Sequence, residues 1–498
     1  MLKEKNKIKN LQEKPPVVVV LGHVDHGKSS ILEKIKDLKI TEKESGGITQ
    51  HIGAYEIEHQ DKKITFIDTP GHAAFAAMRS RGAKIADIAI LVIAGEEGIK
   101  PQTKEAILHI KQAGLPFIVA LNKIDRPEAN PKKIKEQLTK QDVVPEEMGG
   151  KVPCVETSAV SGKGIPELLE MVLLLAEMEN LKTDFSLPAE GTIIESYLDP
   201  KRGPTSTLIL QNGALKKGDI LGTGSASGKI KIMEDFQGKS IDKAQPSTPV
   251  VVIGFEKTPG AGEKFKSFNS LKKAEEKTDK SKRPTPKIIE IKPEQKILNL
   301  ILKADVWGSL EAIERALKEI PQEKVVLRIL KTGVGEINES DIKLAGKGKA
   351  LVAGFRVKIP QTTRKLALRN NVKILTFEVI YDLVQKIREL LEKMVVLEIT
   401  KKELGKVEIL AIFKTEKNKQ IIGGKVKEGR MQKDALINIF REEEKIGEGK
   451  IISLKKDQNE IGQVEKGKEC GMLYKGDVEI KEGDVLEAYI NEKIKTGL

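Results

Sequence analysis

The fold of this chain is decided near its beginning by the stretch Gly22-His23-Val24-Asp25-His26-Gly27-Lys28-Ser29. The stretch fits the pattern G-x-x-x-x-G-K-[ST], and it follows an apolar run that predicts a strand and precedes a segment that predicts a helix. Glycines let backbone N–H groups turn toward phosphate, the Lys28 ammonium reaches terminal phosphates, and the Ser29 hydroxyl can ligate Mg²⁺. The stretch therefore predicts a nucleotide-binding α/β domain.

Short apolar runs surround this loop and alternate with helical stretches from Pro15 to about Lys182. The runs are Val17 to Leu21, Ile64 to Ile67, Ile88 to Ile93, Phe117 to Leu121 and Val152 to Val155. Runs that are apolar throughout and separated by helical periods are typical of a parallel sheet covered on both faces. We therefore expect residues 15–182 to form a doubly wound P-loop domain.

Three more loops follow predicted strands and carry polar groups suited to a guanine nucleotide. Asp68-Thr-Pro-Gly71 can hold Mg²⁺ through water and present a glycine N–H to the terminal phosphate, although alone it would be an ordinary turn. In Asn122-Lys123-Ile124-Asp125, the Asp125 carboxylate can accept from the ring N–H and amino group of guanine, which adenine does not offer as a pair. Ser158-Ala159 can present a backbone N–H to the guanine carbonyl. Four such loops in order, each at the carboxyl end of a strand, favour a GTP site over four unrelated turns.

The rest of the chain divides by composition and periodicity. Glycine-punctuated Val, Ile and Leu segments predict a β-barrel, a Lys- and Glu-rich stretch predicts a linker, and helical spacing around Leu383, Ile387 and Leu391 predicts a long helix. The expected divisions are a short basic N-terminal segment 1–14, the nucleotide-binding domain 15–182, a β-barrel domain 183–265, a linker 266–290, a small α/β domain 291–376, a connecting helix 377–402 and a C-terminal β-barrel 403–498.

Composition limits the partners and the compartment. The 498 residues carry a formal charge of +13, which favours RNA, DNA or an anionic membrane as a partner, or else reflects a lysine-biased genome. No run approaches the roughly 18 apolar residues of a spanning helix, and Cys154 and Cys470 form neither a CxxC motif nor a His-Cys cluster. We expect a cytoplasmic protein that binds no membrane.

The nucleotide-site residues resemble those of translational GTPases, which use the form Gly22-His-Val-Asp-His-Gly-Lys. Two further stretches, Ser45 to Ala54 and Asp68 to Ala83, look like the two switch segments of the bacterial-type translation initiation factor 2 family. The likeness continues through Pro246 to Val250, Lys303 to Ser309, Gly333 to Asp341 and Gly467 to Gly471, so it covers nearly the whole chain. Family members usually carry a long N-terminal extension, and with only about fourteen residues before Pro15 we expect its functions to be absent.

The resemblance implies a catalytic cycle and its residues. GTP or GDP is the nucleotide, Mg²⁺ is held by Ser29 and by the Thr49 hydroxyl, and His72 positions the attacking water. Val24 and Ile48 would keep His72 away until the ribosome triggers hydrolysis. By position alone, His72 could instead cap a helix.

The resemblance also assigns the C-terminal barrel to initiator tRNA. Arg430, Lys455 and Lys456 are basic groups that could meet acceptor phosphates, and Cys470 could line an apolar pocket, although lysines also guard solvated barrel edges. Gly424 stands where the family commonly has cysteine, and Lys456 lies where an arginine is expected. We therefore expect reduced discrimination for the formyl group.

Together these features predict a translation initiation factor that binds and hydrolyses GTP. The resemblance implies as partners the 30S and 50S ribosomal subunits with their rRNA and formylmethionyl initiator tRNA, with the chain acting as a monomer. Two alternatives remain open. One is another translational GTPase that delivers a specialised tRNA, and the other is a GTP-binding RNA-binding module without useful turnover.

Overall fold

The structure is a computed structural model, and it describes residues 11–36, 53–71, 73–277, 295–395, 398–456 and 459–494. The chain divides into two compact units, Met1–Leu391 and Glu392–Leu498. None of the helices in the described ranges is both long and apolar enough to cross a bilayer.

The first domain is built on a six-stranded sheet. In sheet order the strands are β3 (Gly53–His59), β4 (Lys62–Asp68), β2 (Val17–Gly22), β5 (Ile88–Ala94), β6 (Phe117–Asn122) and β7 (Cys154–Glu156). The helices are α1 (Lys28–Lys36), α2 (Ala76–Ile85), α3 (Pro101–Ala113), α4 (Pro131–Thr139) and α5 (Ile165–Met178). Every residue of β2 and β5 is buried, as expected for strands covered on both faces.

The sheet differs from the prediction at its two edges. Strand β3 was not predicted, because its half-polar sequence does not form a continuous apolar run. It pairs antiparallel with β4. The run predicted from Val152 forms a strand only from Cys154, since Val152 makes an isolated bridge to Pro145. Near the chain start, β1 (Leu11–Glu13) pairs with β8 (Lys182–Asp184), so part of the predicted basic segment is a strand.

The second domain is a closed six-stranded barrel. Its strands are β9 (Glu190–Asp199), β10 (Gly203–Asn212), β12 (Ile220–Gly222), β13 (Ser227–Glu234), β15 (Pro249–Phe255) and β16 (Lys264–Phe268), and β11 (Leu215–Lys216) pairs with β14 (Lys243–Ala244) beside it. The predicted linker from Lys266 was wrong in its first half. Residues 266–268 complete β16, and α6 (Leu271–Lys277) follows it with Ala274 fully buried. The lysine-rich composition concealed this one apolar contact, and residues 278–290 of the predicted linker lie outside the described ranges.

The third domain is a four-stranded parallel sheet with strand order β18-β17-β19-β20. Its elements are β17 (Lys296–Ala304), α7 (Trp307–Lys318), β18 (Val325–Val334), α8 (Glu339–Gly348), β19 (Leu351–Phe355), α9 (Gln361–Arg369), β20 (Ile374–Phe377) and α10 (Ile380–Met394). Helices α8 and α9 were not predicted, because each buries only two or three side chains and therefore shows no clear helical period.

The predicted connecting helix 377–402 was wrong at both ends. Phe377 belongs to strand β20, which pairs with β19, and the helix runs from Ile380 to Met394. From Glu398 the chain is strand β21 (Glu398–Glu416), so the barrel begins before the predicted Glu403. The helical spacing of apolar residues ends at Leu391, and the alternation after it is that of a strand.

The second unit contains a ring of antiparallel strands. The ring follows β21, β28 (Val485–Ile494), β23 (Leu436–Arg441), β24 (Glu444–Lys456), β27 (Glu469–Gly476) and β22 (Lys419–Gln432), and the β21–β22 pairing closes it. The short strands β25 (Asn459–Glu460) and β26 (Gln463–Glu465) pair with β24 and β22. The predicted fold class, a P-loop α/β domain with β-barrels and a small α/β domain, is confirmed.

Helix α7 is held between the first two domains at its amino end. The buried Glu195 carboxylate of β9 accepts from the Gly308 N–H at 3.1 Å, and a side chain on Gly308 would collide with Met78 of α2. One turn further on, Arg81 of α2 donates to Glu311 at 2.6 Å. A carboxylate at a helix amino end satisfies free N–H groups and complements the helix dipole, so Glu195 supplies the cap that α7 lacks from its own chain segment.

Replacing Glu195 with alanine tests this cap. Loss of a helix cap costs about 1–2 kcal/mol, so the Gly308 amide should exchange with deuterium roughly tenfold faster in the full-length protein. Glu311→Ala is the matched control, because Glu311 is half exposed and its pair with Arg81 is worth at most about 1 kcal/mol. Equal exchange in wild type and Glu195→Ala would contradict the capping role.

Candidate nucleotide site

The phosphate-binding loop between β2 and α1 adopts the backbone conformation that its glycines permit. Gly27 has φ +86°, and a Cβ there would collide with the Asn122 side-chain amide. Lys28 is buried, and its Nζ donates to the His23 carbonyl at 2.6 Å. Burial lowers the pKa of Lys28 to about 8, against the opposing attraction of Asp68. A buried ammonium of this kind is strongly stabilised by a nearby polyanion.

The two histidines of the loop are not cationic phosphate ligands. His26 is fully buried, and burial lowers its pKa to about 4, with the His23 ring as a second contribution. Burial is also the main cause that lowers the pKa of His23. His26 is therefore neutral near pH 7, and its side chain lies in the domain interior while its backbone shapes the loop. Asp25 is exposed and has φ +62°.

The Asp68–Gly71 turn lies directly against the phosphate-binding loop. Asp68 is buried at the end of β4, and a Cβ on Gly71 would lie 2.5 Å from Lys28 Nζ and 3.0 Å from the Val24 backbone nitrogen. The structure therefore brings the first two predicted loops together around Lys28.

The turn is supported by a buried arginine that sequence reasoning missed. Arg79 of α2 is fully buried, donates to the Pro70 carbonyl at 3.0 Å and forms an ion pair with Glu105 of α3. Burial opposes ionisation of Glu105, but hydrogen bonds from His109 and Arg79 outweigh it and lower its pKa to about 2. On the other side, Gln102 Oε1 accepts from the Val24 N–H at 3.0 Å. These partners are distant in sequence from the loops they hold, so no local motif indicated them.

The base-recognition loops meet the phosphate-binding loop through the Asn122 side chain. Its Nδ2 donates to the His26 carbonyl at 2.9 Å, and its Oδ1 accepts from the Ala159 N–H at 3.3 Å. A hydrogen bond from Ser158 is the main cause that lowers the pKa of Asp125, so this exposed carboxylate is ionised near pH 7. An ionised carboxylate only accepts hydrogen bonds, which suits the paired N–H groups of guanine.

Lys123 is fixed beside these residues in a left-handed conformation with φ +61°. Its ammonium forms an ion pair with Glu96 at 2.8 Å, and Arg126 contacts the same carboxylate. These ion pairs hold the aliphatic part of Lys123 at the edge of the site, where it could flank a bound base.

Several predicted residues of the catalytic cycle lie outside the described ranges, namely Ile48, Thr49 and His72. Ser29 is half-buried at the start of α1. In the described part of the chain there is no group of three His, Cys, Asp or Glu side chains that could hold a metal ion. Hydroxyl and phosphate oxygens are the ligands typical of nucleotide-bound Mg²⁺, so the Ser29 hydroxyl at the start of α1 and the buried Asp68 carboxylate suit that ion.

The predicted tRNA residues lie in the second unit and are only partly together. Cys470 and Gly424 are opposite each other on β27 and β22, and Lys455 of β24 is opposite Gly471. Arg430 lies further along β22, opposite Glu465 of β26. Lys455 and Lys456 are exposed. Cys470 packs in the barrel core, and burial raises the pKa of its thiol to about 11.

An exposed aromatic residue near Gly424 was not singled out from the sequence. Phe413 on β21 is 68% exposed, and its ring covers Gly423 of β22, where a Cβ would be 2.8 Å away. Leu410 and Ile421 are also exposed on these strands. Only a strand register could have distinguished this apolar surface from the core face, because the sequence alternation around Phe413 is interrupted by bulges.

Comparison with known proteins finds a family match for each of the three domains before the C-terminal barrel. Residues 13–178 match the Elongation factor Tu GTP binding domain, residues 188–268 match Elongation factor G domain 2, and residues 271–388 match Translation-initiation factor 2. A site of this geometry in a domain of this kind defines a translational GTPase.

Relatives that match nearly the whole chain identify the family more specifically than the single domains do. The Translation initiation factor IF-2 of Halothermothrix orenii is 44% identical over 99% of this chain and 74% of that protein. The factor of the same name from Caldanaerobacter subterraneus subsp. tengcongensis is 43% identical over 97% of this chain and 71% of that protein. The GDP-bound aIF5B of Aeropyrum pernix, a solved structure, matches 96% of this chain and 92% of that chain at 25% identity with a TM-score of 0.46. The chain belongs to the translation initiation factor IF-2 family.

Replacing Asp125 with asparagine tests base recognition. Asparagine donates where aspartate accepts, so GDP should bind about 10- to 100-fold more weakly and xanthosine diphosphate more tightly. Competition titration of the two nucleotides measures the exchange of preference. Asp61→Asn is the matched control, because Asp61 is exposed in the turn between β3 and β4 and has a left-handed backbone that asparagine also adopts. Unchanged GDP affinity would remove Asp125 from the base site.

Proposed function

We propose that this translation initiation factor promotes binding of formylmethionyl initiator tRNA to the small ribosomal subunit and joining of the large subunit, and that it leaves after ribosome-triggered GTP hydrolysis. One observation carries the proposal. Helix α2 follows the Asp68–Gly71 turn, and its Arg79 holds that turn while its Arg81 contacts α7 of the third domain. A change at the terminal phosphate therefore has a short path into the domains beyond the nucleotide.

The nucleotide is held by groups with distinct tasks. Lys28 and the backbone of residues 22–27 bind the phosphates, Asp125 and the Ser158–Ala159 loop select guanine, and Asn122 fixes these loops together. Ser29 and Thr49 would hold Mg²⁺, with Asp68 acting through water, and the ion would neutralise charge on the phosphates.

Hydrolysis is assigned to His72, which follows Gly71 and would orient the attacking water. Arg79 is the nearest arginine to the turn along the chain, and it is committed to Pro70 and Glu105. It therefore does not serve as a residue that neutralises transition-state charge, and intrinsic hydrolysis should be slow without the ribosome.

His72→Ala tests this assignment. If His72 only positions water, GTP binding should be nearly unchanged while ribosome-stimulated phosphate release falls by about 10² or more. Phosphate release with and without ribosomes, measured beside GTP titration, separates the two effects. Normal turnover on ribosomes would exclude the assignment, and no ribosome stimulation of the wild type would favour a binding module without useful turnover.

The tRNA site is proposed on the second unit around Phe413, Gly424, Lys455 and Lys456. The exposed phenyl ring provides an apolar surface for an amino-acid side chain, and the lysines provide charge for the acceptor phosphates. Arg430 is a more distant contributor along β22, and Cys470 would support the strand from the core side. We further propose that the protein works in the cytoplasm as a monomer.

Phe413→Ala tests the apolar part of this site. The full-length variant should lose most of its protection of formylmethionyl-tRNA against ester hydrolysis, by about tenfold, because a large exposed ring that contacts the amino acid would be removed. Protection of methionyl-tRNA and an elongator aminoacyl-tRNA at two salt concentrations separates side-chain recognition from phosphate contacts.

The matched control is Leu108→Ala, which removes a similarly exposed apolar side chain from α3 of the first domain. Equal protection by both variants and the wild type would exclude Phe413. Failure of the wild type to protect any of the three tRNAs would exclude the tRNA site itself.

A further inference from the structure

One short segment of the third domain carries much of the charge of the chain. Residues 339–373 contain nine Lys and Arg against two acidic residues, a net charge of +7 in a chain whose total is +13. The segment comprises α8, β19, α9 and the loops beside them. The excess charge of the protein is therefore concentrated rather than spread over its surface.

The fold places these helices away from the first two domains. In the strand order β18-β17-β19-β20, right-handed crossovers put α7 on one face of the sheet and α8 and α9 on the other. Helix α7 contacts Glu195 of the barrel and Arg81 of α2, so its face is covered. Helices α8 and α9 contact each other and form the opposite face. The exposed cations of this α8–α9 face are Lys343, Lys347, Lys349, Lys358, Arg364, Lys365, Arg369 and Lys373.

These cations lack the carboxylate partners that lysines have elsewhere. Within the described residues, Lys343 alone of the eight has a carboxylate within 4.0 Å, the neighbouring Glu339 at 3.9 Å. In the second unit, by contrast, several surface lysines pair with acids. Examples are Lys406 with Glu487, Lys414 with Glu416, Lys427 with Glu408, Lys445 with Glu448 and Lys450 with Asp434.

A lysine-biased genome does not account for the composition of this face. The chain has only 13 arginines, and two of them, Arg364 and Arg369, are exposed on one side of α9. Arginine presents a planar fork of donors that matches phosphate oxygens in pairs. Lys365 lies between them in sequence, and Lys343 and Lys347 repeat at helical spacing on α8.

Two asparagines and a surface cavity lie beside the cations of the α8–α9 face. Asn370 and Asn371 follow α9, are exposed, and can bond to ribose hydroxyls and phosphates. They line a surface cavity of about 430 Å³ together with Lys349 and Lys373. Leu368 stands 75% exposed on the outer side of α9 among the cations. The face thus combines charge, amide groups and a concave surface.

We propose that the α8–α9 face of the third domain binds the sugar–phosphate backbone of ribosomal RNA. The cations would neutralise phosphates, and the asparagines would contact riboses. Because most of the exposed cations lie along α8 and α9 rather than around one pocket, recognition is of backbone and shape rather than sequence. This inference rests on the proposed function in that it requires the protein to work on the ribosome.

The test removes the charge of α9 in the full-length protein. The variant Arg364→Gln, Lys365→Gln, Arg369→Gln should bind ribosomes about tenfold more weakly in the presence of a non-hydrolysable GTP analogue. Its plot of log affinity against log salt should also be shallower by about two to three units, because each of the three lost phosphate contacts removes about 0.7 to 1 released counterion. Sedimentation with ribosomes at several KCl concentrations gives both quantities.

The control variant is Lys132→Gln, Lys133→Gln, Lys140→Gln. It removes the same net charge from an exposed helical surface of the first domain. The inference requires wild-type affinity and slope in the control and intact GDP binding in both variants. Wild-type affinity and slope in the α9 variant, or equal losses in both variants, would overturn it. If the wild type itself fails to bind ribosomes, the proposed function falls and this inference falls with it.

A second measurement distinguishes RNA from ribosomal protein as the partner. Leu368→Cys places a reactive thiol on α9 for an iron chelate that generates hydroxyl radicals. The native Cys154 and Cys470 react slowly because burial raises the pKa of each thiol to about 11. Cleavage of ribosomal RNA at discrete positions is expected, and a probe on Leu108→Cys should give a different pattern. Absence of RNA cleavage from position 368 on bound ribosomes would overturn the proposal.

Discussion

The side-chain amide of Asn122 is the interaction on which the nucleotide site depends. It donates to the His26 carbonyl and accepts from the Ala159 N–H, so one buried group fixes the phosphate-binding loop, its own loop and the last base-recognition loop in a single arrangement. Gly27 is required because any Cβ there would displace this amide. The amide nitrogen and the amide oxygen of Asn122 both bond within the protein. The exposed carboxylate of Asp125 remains available to the base.

A small number of contacts also links the nucleotide-binding loops to the third domain. Arg79 and Arg81 lie on one helix but serve different domains, since the first holds the turn at Pro70 and the second contacts Glu311. Arg79 is fully buried and its charge is compensated by Glu105, so the turn cannot shift without moving the helix or exposing an unpaired charge. Because α7 is also capped by Glu195, the position of α2 affects both the barrel and the third domain.

Sequence reasoning located the fold class and the nucleotide loops because both depend on local patterns. Continuous apolar runs predicted β2, β4, β5 and β6, and the first three nucleotide loops follow directly from β2, β4 and β6. Long-range partners had no local signal: Arg79 reaches Pro70 and Glu105, and Gln102 reaches Val24 only after folding. Short amphipathic elements such as α6, α8 and α9 were also missed, because each buries too few side chains to produce a clear period.

The average charge of the chain concealed a difference that only the structure shows. Several lysines of the second unit pair with acids, as in Lys406 beside Glu487 on the neighbouring strand, and such exposed pairs contribute little to stability while lowering the local field. In the described residues only Lys343 among the exposed cations of the α8–α9 face has a carboxylate within 4.0 Å, so the potential of this face extends into solvent over about a Debye length, ~8 Å at physiological salt. A protein with several lysine-rich surfaces can thus reserve one for a polyanion. The distribution of acids, rather than the number of lysines, identifies which surface that is.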